Sequence, residues 1–145
     1  MDKPKFVYVT YIATTPAKLW EALTSGDFTE KYWFGSRIES DWKVGSLFKI
    51  HTGVTDKDWQ GQVLQCDPPH LLSYNFRVLG GAEHFSRVVF QLEQHGPVVK
   101  LTLTHDELDE KDDKFFKGIS GGWPAVLSNL KSLLEGGHPV VPRPC

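Results

Sequence analysis

The feature that most constrains the fold is an alternation of apolar and polar residues with period two between about residues 36 and 105. Val88, Phe90 and Leu92 share one parity, and short glycine-containing turns at residues 80–81 and 95–96 separate successive runs. Alternation at this period is typical of strands with one buried face, and tight turns join antiparallel neighbours. The segment therefore predicts an antiparallel sheet.

The residues before this segment predict one strand and two short helices. Phe6–Ile12 is β-branched and aromatic, and its apolar residues on both faces predict a strand covered on both sides. Thr15 is placed to cap a helix that has Pro16 at its first position. Asp27 with Glu30 resembles a capping box, which predicts a second short helix.

The residues after the alternating segment predict a long C-terminal helix with an unusual beginning. Gly118, Gly121, Gly122 and Pro124 all lie near its start. These glycines are expected to let the backbone bend and approach the strands. The regular helix is predicted to begin or bend between Gly121 and Pro124, with Trp123 turned inward at one end of a cavity. The apolar residues that recur at helical spacing are Trp123, Val126, Leu127, Leu130, Leu133 and Leu134.

The order of elements predicts an α+β fold in a single domain. A strand is followed by two short helices, a run of antiparallel strands and one long helix packed on the sheet. The domain is expected to span residues 1–137, because glycines at 136 and 137 end the helix and no internal linker appears. Residues 138–145 contain three prolines and are expected to form a loose tail.

The charge and cysteine content restrict the classes of partner. A net charge of −2, with no run of Lys and Arg, argues against binding to nucleic acid or to an anionic membrane. No stretch is long and apolar enough to cross a bilayer. Cys66 and Cys145 are isolated, so a disulfide framework is not expected and a cytoplasmic location is predicted. Five Trp, nine Phe and four Tyr indicate an aromatic core or pocket.

Several motifs, taken in order, resemble one family. Residues 12–24 (IATTPAKLWEALT) are similar to the opening of the Activator of Hsp90 ATPase homologue family, within the START/Bet v 1-like (SRPBCC) superfamily. Further similarities lie at Gly45 and Phe48, at residues 61–63, 67–69, 72–74 and 101–105, at residues 122–123, and at Leu127 and Leu130. The resemblance covers roughly residues 6–135. It implies a helix-grip fold, in which a curved sheet wraps the C-terminal helix and leaves a cavity between them.

The resemblance leaves three functions open, since the superfamily includes small-molecule carriers, cyclase-like enzymes and a chaperone-activating domain. The first hypothesis is that the cavity binds a small hydrophobic or aromatic molecule. The second is interaction with an Hsp90-type chaperone or another protein, as a monomer or homodimer. The third is a cyclase or hydrolase that uses the same cavity. The candidate ligand-binding residues are Trp33, Phe48, Trp59, Tyr74, Phe90, His105, Trp123 and Leu127.

Catalytic signals in the sequence are weak. It has no nucleophile elbow, phosphate loop or dinucleotide fingerprint, and its six histidines never fall at a metal-binding helical spacing. No metal, cofactor or catalytic residue is therefore predicted. His105 shares the inward parity of Leu101 and Leu103, so it is either a polar anchor for a ligand, an acid–base group, or a structural hydrogen-bonding residue.

Overall fold

The computed structural model of the chain describes residues 5–51, 59–78, 85–107 and 113–137, with backbone only for residues 59, 76–78 and 113–118. The predicted order of elements is confirmed. The elements are β1 (Phe6–Ile12), α1 (Pro16–Thr24), α2 (Gly26–Tyr32), β2 (Arg37–Ser40), β3 (Leu47–His51), β4 (Trp59–Asp67), β5 (Leu71–Val78), β6 (Ser86–His95), β7 (Val98–Asp106) and α3 (Asp113–Gly136).

All the strands join one antiparallel sheet. Its order is β1-β7-β6-β5-β4-β3-β2, which is the chain order except that β1 pairs with the last strand. The first and last strands of the chain are therefore neighbours in the sheet, and Phe6 of β1 lies opposite His105 of β7. Burial alternates along β6 and β7, so that Val88, Phe90 and Leu103 face the helices while their neighbours face solvent.

The strand β1 is exposed on one face, and the prediction that it is covered on both sides is wrong. Among the described residues its only neighbour in the sheet is β7. Val7, Val9 and Tyr11 are 49%, 44% and 47% exposed. Their apolar side chains are typical of a strand but lie on the outer face, so composition alone could not distinguish this edge strand from a buried one.

The last turns of α3 attach to the C-terminal end of β1. The Lys131 Nζ donates a hydrogen bond of 2.6 Å to the carbonyl oxygen of Tyr11. The backbone N–H of Ala13 donates to Glu135 Oε2 at 2.8 Å, and Lys131 and Glu135 also form an ion pair at 2.7 Å. The helix thus satisfies backbone groups at the edge of the sheet as well as packing against its inner face.

Of the two capping predictions for the short helices, one is confirmed and one is wrong. Thr15 caps α1 as predicted, because its side chain accepts a hydrogen bond from the N–H of Lys18. The capping box at Asp27 and Glu30 is wrong, since the N-cap of α2 is Ser25. Both carboxylates instead bind Arg37 at the start of β2, at 2.8 and 2.6 Å. Arg37 therefore binds the two carboxylates that the local sequence pattern assigns to the cap of α2.

The helix α3 begins at Asp113 and contains Pro124, so the predicted beginning between Gly121 and Pro124 is wrong. The predicted close approach of these glycines to the strands is also wrong, because a Cβ at Gly121 or Gly122 would meet nothing within 4 Å. Buried Ile119 and Trp123 lie on either side of this stretch. Burying such side chains contributes about 1.5–3 kcal/mol each, which outweighs about 1 kcal/mol for a helical glycine. Gly118 lies where side-chain surroundings are not described.

A glycine that does permit close packing is Gly61 of β4. A Cβ there would overlap the carbonyl oxygen of Asn75 and lie 2.7 Å from Cε1 of Phe48. We expect Gly61→Ala to lower the free energy of unfolding by about 2 kcal/mol, because the backbone must move away from a fixed carbonyl. Urea unfolding measures the difference.

The matched control is Gly121→Ala, which places the same methyl group in open space on α3. It should raise stability by about 1 kcal/mol, because alanine has the higher helix propensity. Equal effects of the two substitutions would contradict the role given to Gly61.

Candidate functional site

Five of the predicted ligand-binding residues form one run of aromatic rings between the sheet and α3, which we call the aromatic cluster. Its members are Trp33, Phe48, Tyr74, Phe90 and Trp123. Successive ring centroids lie 5.2 Å apart for Trp33 and Trp123, 5.9 Å for Trp123 and Phe90, 6.1 Å for Phe90 and Tyr74, and 4.3 Å for Tyr74 and Phe48. Every pair is tilted or edge-on, the geometries that aromatic quadrupoles favour.

Strand parity and helix spacing explain how residues so distant in sequence meet. Phe48, Tyr74 and Phe90 face inward from β3, β5 and β6, and Tyr74 lies opposite Val88 in the register. Trp123 faces the sheet from α3, with Leu127 one turn further along the same buried face. Parity was therefore a sufficient signal for the strand residues of the cluster.

The cluster is closely packed and is accessible at one ring. Phe48, Tyr74, Phe90 and Trp123 are between 1% and 3% exposed. Trp33 is half-buried, and it lies where α2 ends. The Trp59 side chain lies outside the described residues, so its predicted role stays a prediction. The predicted lining residues thus contact one another, and Trp33 is the member that solvent reaches.

His105 joins the cluster to the sheet through two hydrogen bonds. Its Nδ1 lies 3.0 Å from Nε1 of Trp123, and its Nε2 lies 2.7 Å from Oγ of Ser86. The indole N–H can only donate, so Nδ1 must be an acceptor and carry no proton. Neutral His105 therefore carries its proton on Nε2 and donates it to Ser86.

This tautomer decides what the Ser86–His105 pair can do. A serine nucleophile needs a histidine nitrogen that accepts its proton, whereas Nε2 of His105 already holds one. The pair is therefore not arranged as a nucleophile and its base. Ser86 was missed in the sequence, although it shares the inward parity of Val88 and Phe90 that could have identified it.

Burial sets the protonation of the titratable groups in this layer. Desolvation lowers the pKa of His105 to about 4, and the nearby Asp106 opposes this only in part. Burial raises the pKa of Tyr74 above its usual range and does the same for Tyr32. All three side chains are consequently uncharged at neutral pH.

Tyr32 and Asn129 hold the helices around the cluster. The Tyr32 hydroxyl donates to the carbonyl oxygen of Ala22 at 2.8 Å, and Asn129 Nδ2 donates to the Tyr32 carbonyl at 3.4 Å. The three helices are thus linked through one buried tyrosine. Trp42 extends the ring contacts outward, with its ring 6.5 Å from that of Phe48 and its Nε1 bonded to the Thr24 carbonyl.

Within the described ranges no group of three or more His, Cys, Asp or Glu side chains could hold a metal ion. None of the described helices has the length and hydropathy to span a bilayer.

Comparison with known sequences and structures assigns the family. The sequence profile of the Activator of Hsp90 ATPase homolog 1-like proteins matches residues 13–135. The chain belongs to this family. No curated protein sequence matches this chain significantly.

Several solved structures share the fold of this chain. Protein MLL2253 from Mesorhizobium loti is 24% identical, with a TM-score of 0.81 over 91% of this chain and 97% of that one. The Aha1 dimer from Colwellia psychrerythraea is 23% identical, with a TM-score of 0.77 over 92% and 98%. PFC0360w, an HSP90 activator from Plasmodium falciparum, is 22% identical, with a TM-score of 0.77 over 93% and 97%. These similarities confirm the predicted helix-grip fold.

The position of His105 predicts a pH-dependent stability. Its pKa is about 4 in the folded protein and about 6.5 in an unfolded chain, so the unfolded state binds more protons between these values. Stability is therefore lost as the pH falls from about 6.5 towards 4. Between pH 7 and pH 4.5 the loss from this group should be about 2–3 kcal/mol, measured by urea unfolding at each pH.

The variant His105→Gln keeps one acceptor for Trp123 and one donor for Ser86 but cannot be protonated in this range. It should lose less stability than the unsubstituted protein between pH 7 and pH 4.5. The control is His70→Gln, which makes the same substitution at an exposed histidine outside the aromatic cluster. If His105→Gln and the unsubstituted protein lose the same stability between pH 7 and pH 4.5, a group other than His105 causes the pH dependence.

Proposed function

We propose that this protein is a non-catalytic domain that binds a small apolar or aromatic molecule between the sheet and α3. The observation that supports it is the half-buried Trp33 at one end of the aromatic cluster, in contact with the buried ring of Trp123. A continuous layer of rings with one accessible member provides a hydrophobic surface that a flat molecule can join. The family assignment supports this proposal only through the fold.

Entry beside Trp33 is compatible with the backbone around it. Phe34 and Gly35 have positive φ values of 50° and 81°, so the chain turns sharply directly after α2. A ligand ring between Trp33 and Trp123 would replace one ring contact with two. Each such contact contributes about 0.5–1.5 kcal/mol, so the gain of one contact would offset part of the cost of immobilising the ligand.

The ligand should be uncharged. None of the five side chains of the cluster carries a charge at neutral pH, and the adjoining His105 is neutral and buried. A charged ligand would lose its hydration there without an opposite charge, at a cost of several kcal/mol.

We place the protein in the cytoplasm as part of the same proposal, because isolated cysteines without a disulfide framework are typical of a reducing compartment.

Titration with 2-naphthol, a neutral planar probe, tests the proposal through quenching of tryptophan fluorescence. We expect Trp33→Ala to weaken binding about tenfold, because it removes one face of the site. The control is Trp20→Ala, which removes a half-buried tryptophan of α1 that lies outside the cluster. Equal affinities for the two variants, or no binding by the unsubstituted protein to 2-naphthol, would reject this site.

A second candidate function is binding to an Hsp90-type chaperone. It is favoured by the exposed apolar row on β1, formed by Val7, Val9 and Tyr11, and by the description of the family. Exposed apolar patches on a sheet edge are typical of interaction sites. Among the similar structures, one is described as an HSP90 activator and another as a dimer.

Substitution of Val9 tests this alternative. Val9→Lys should reduce binding to a purified Hsp90-type chaperone about fivefold or more, because a charge would replace an apolar contact. The control Val44→Lys makes the same change at a valine that is 67% exposed and lies outside β1. The readout is chaperone pull-down with its ATPase rate, and light scattering reports self-association. Equal capture of both variants, or no capture at all, would contradict binding through β1.

A further inference from the structure

A cleft on the outer face of the sheet combines two exposed apolar walls with side-chain amides. Its described lining is Leu47, Gln60, Gly61, Gln62, Asn75 and Phe85, and its volume is about 240 Å³. Leu47 is 67% exposed and Phe85 is 45% exposed. Along β4 the neighbouring Val63 faces inward, so Gln60 and Gln62 face away from the aromatic cluster. We call this the outer cleft.

Backbone partners fix the orientation of two of its amides. The Asn75 Oδ1 accepts a hydrogen bond of 2.9 Å from the backbone N–H of Gln62. The Gln62 Nε2 donates one of 2.9 Å to the carbonyl oxygen of Gly45. A backbone N–H can only donate and a carbonyl can only accept, so neither amide can be turned round without losing its bond. Asn75 therefore offers its NH₂ group and Gln62 offers its Oε1.

Gln62 and Asn75 belong to adjacent strands of the sheet. The bond from the Gln62 N–H to Asn75 Oδ1 joins β4 to β5, and both residues line the outer cleft. Gln60 adds a third amide, and within the part of the chain described here its side chain makes no hydrogen bond. The outer cleft thus presents a donor and an acceptor together, beside apolar walls.

From this arrangement we propose that the outer cleft binds a small, neutral, planar molecule that carries an amide or lactam group. An amide or lactam carries a donor N–H and an acceptor oxygen on the same carbonyl carbon, so it can donate to Gln62 Oε1 and accept from the Asn75 NH₂. None of the described lining residues is charged, which favours a neutral ligand. The volume of about 240 Å³ lies below the roughly 300–1,000 Å³ of pockets for drug-sized ligands, which favours a ligand of about one ring.

This site is independent of the proposed function. It lies on the opposite face of the sheet from the aromatic cluster and shares none of its residues. Gly61 contributes to it through its backbone alone, because the carbonyl of Asn75 lies where a side chain would begin. The two sites can therefore fail or succeed separately.

The probe is benzamide, titrated into ¹⁵N-labelled full-length protein and followed by amide chemical shifts. Methyl benzoate, which has the same ring and carbonyl but no N–H, is the comparison ligand. We expect benzamide to shift the amide signals of residues around Gln62 and Asn75. The affinity for methyl benzoate should be at least about fivefold lower, because one hydrogen bond is lost. Equal responses to both ligands would overturn the proposal.

The decisive variant is Asn75→Asp. It keeps an oxygen that accepts from the Gln62 N–H, so the fold is retained. It replaces the NH₂ group with a second oxygen, so the cleft no longer offers this donor to the ligand. Affinity for benzamide should fall at least about fivefold. Gln91→Glu adds the same charge at an exposed position of β6 outside the cleft, and it should bind benzamide normally. Unchanged affinity in Asn75→Asp, or an equal loss in Gln91→Glu, would reject the site.

Discussion

The hydrogen bond from Trp123 to His105 is the interaction on which the inner structure depends. It connects the middle of α3 to β7, through two polar atoms that are buried in an aromatic layer. Because the indole N–H is only a donor, the bond fixes the histidine tautomer and directs its other proton to Ser86. One tryptophan thereby joins α3 to β7 and leaves Ser86 without a histidine base.

The two faces of the sheet follow different physical rules. The inner face is assembled from rings in tilted contact, from Trp33 through Trp123 to Phe48, and His105 and Ser86 are bonded to each other there. On the outer face, hydrogen bonds to the backbone fix the amides of Gln62 and Asn75. The binding proposed for the inner face would therefore depend on ring packing, and the binding proposed for the outer cleft on hydrogen-bond pattern.

The parts of this structure that could be predicted from sequence are those that local pattern controls. Period-two parity predicted the inward direction of Phe90 and His105, and Thr15 capped α1 because capping needs only its own turn. Other features depend on residues distant in the chain. Asp27 binds Arg37 instead of its own helix, and α3 continues through a proline because burial of its apolar face on the sheet outweighs local propensity. The hydrogen bonds of His105 likewise required partners from two other elements.

The attachment of α3 to β1 also affects how molecules of this protein meet one another. A seven-residue edge strand that contains no charged residue would ordinarily invite the addition of further strands and growth into fibrils. Here the Tyr11 carbonyl and the Ala13 N–H are already bonded to Lys131 and Glu135, so a strand from outside meets charged side chains at that end. The Lys131–Glu135 ion pair therefore disfavours pairing of another strand with the C-terminal part of β1, in addition to attaching α3.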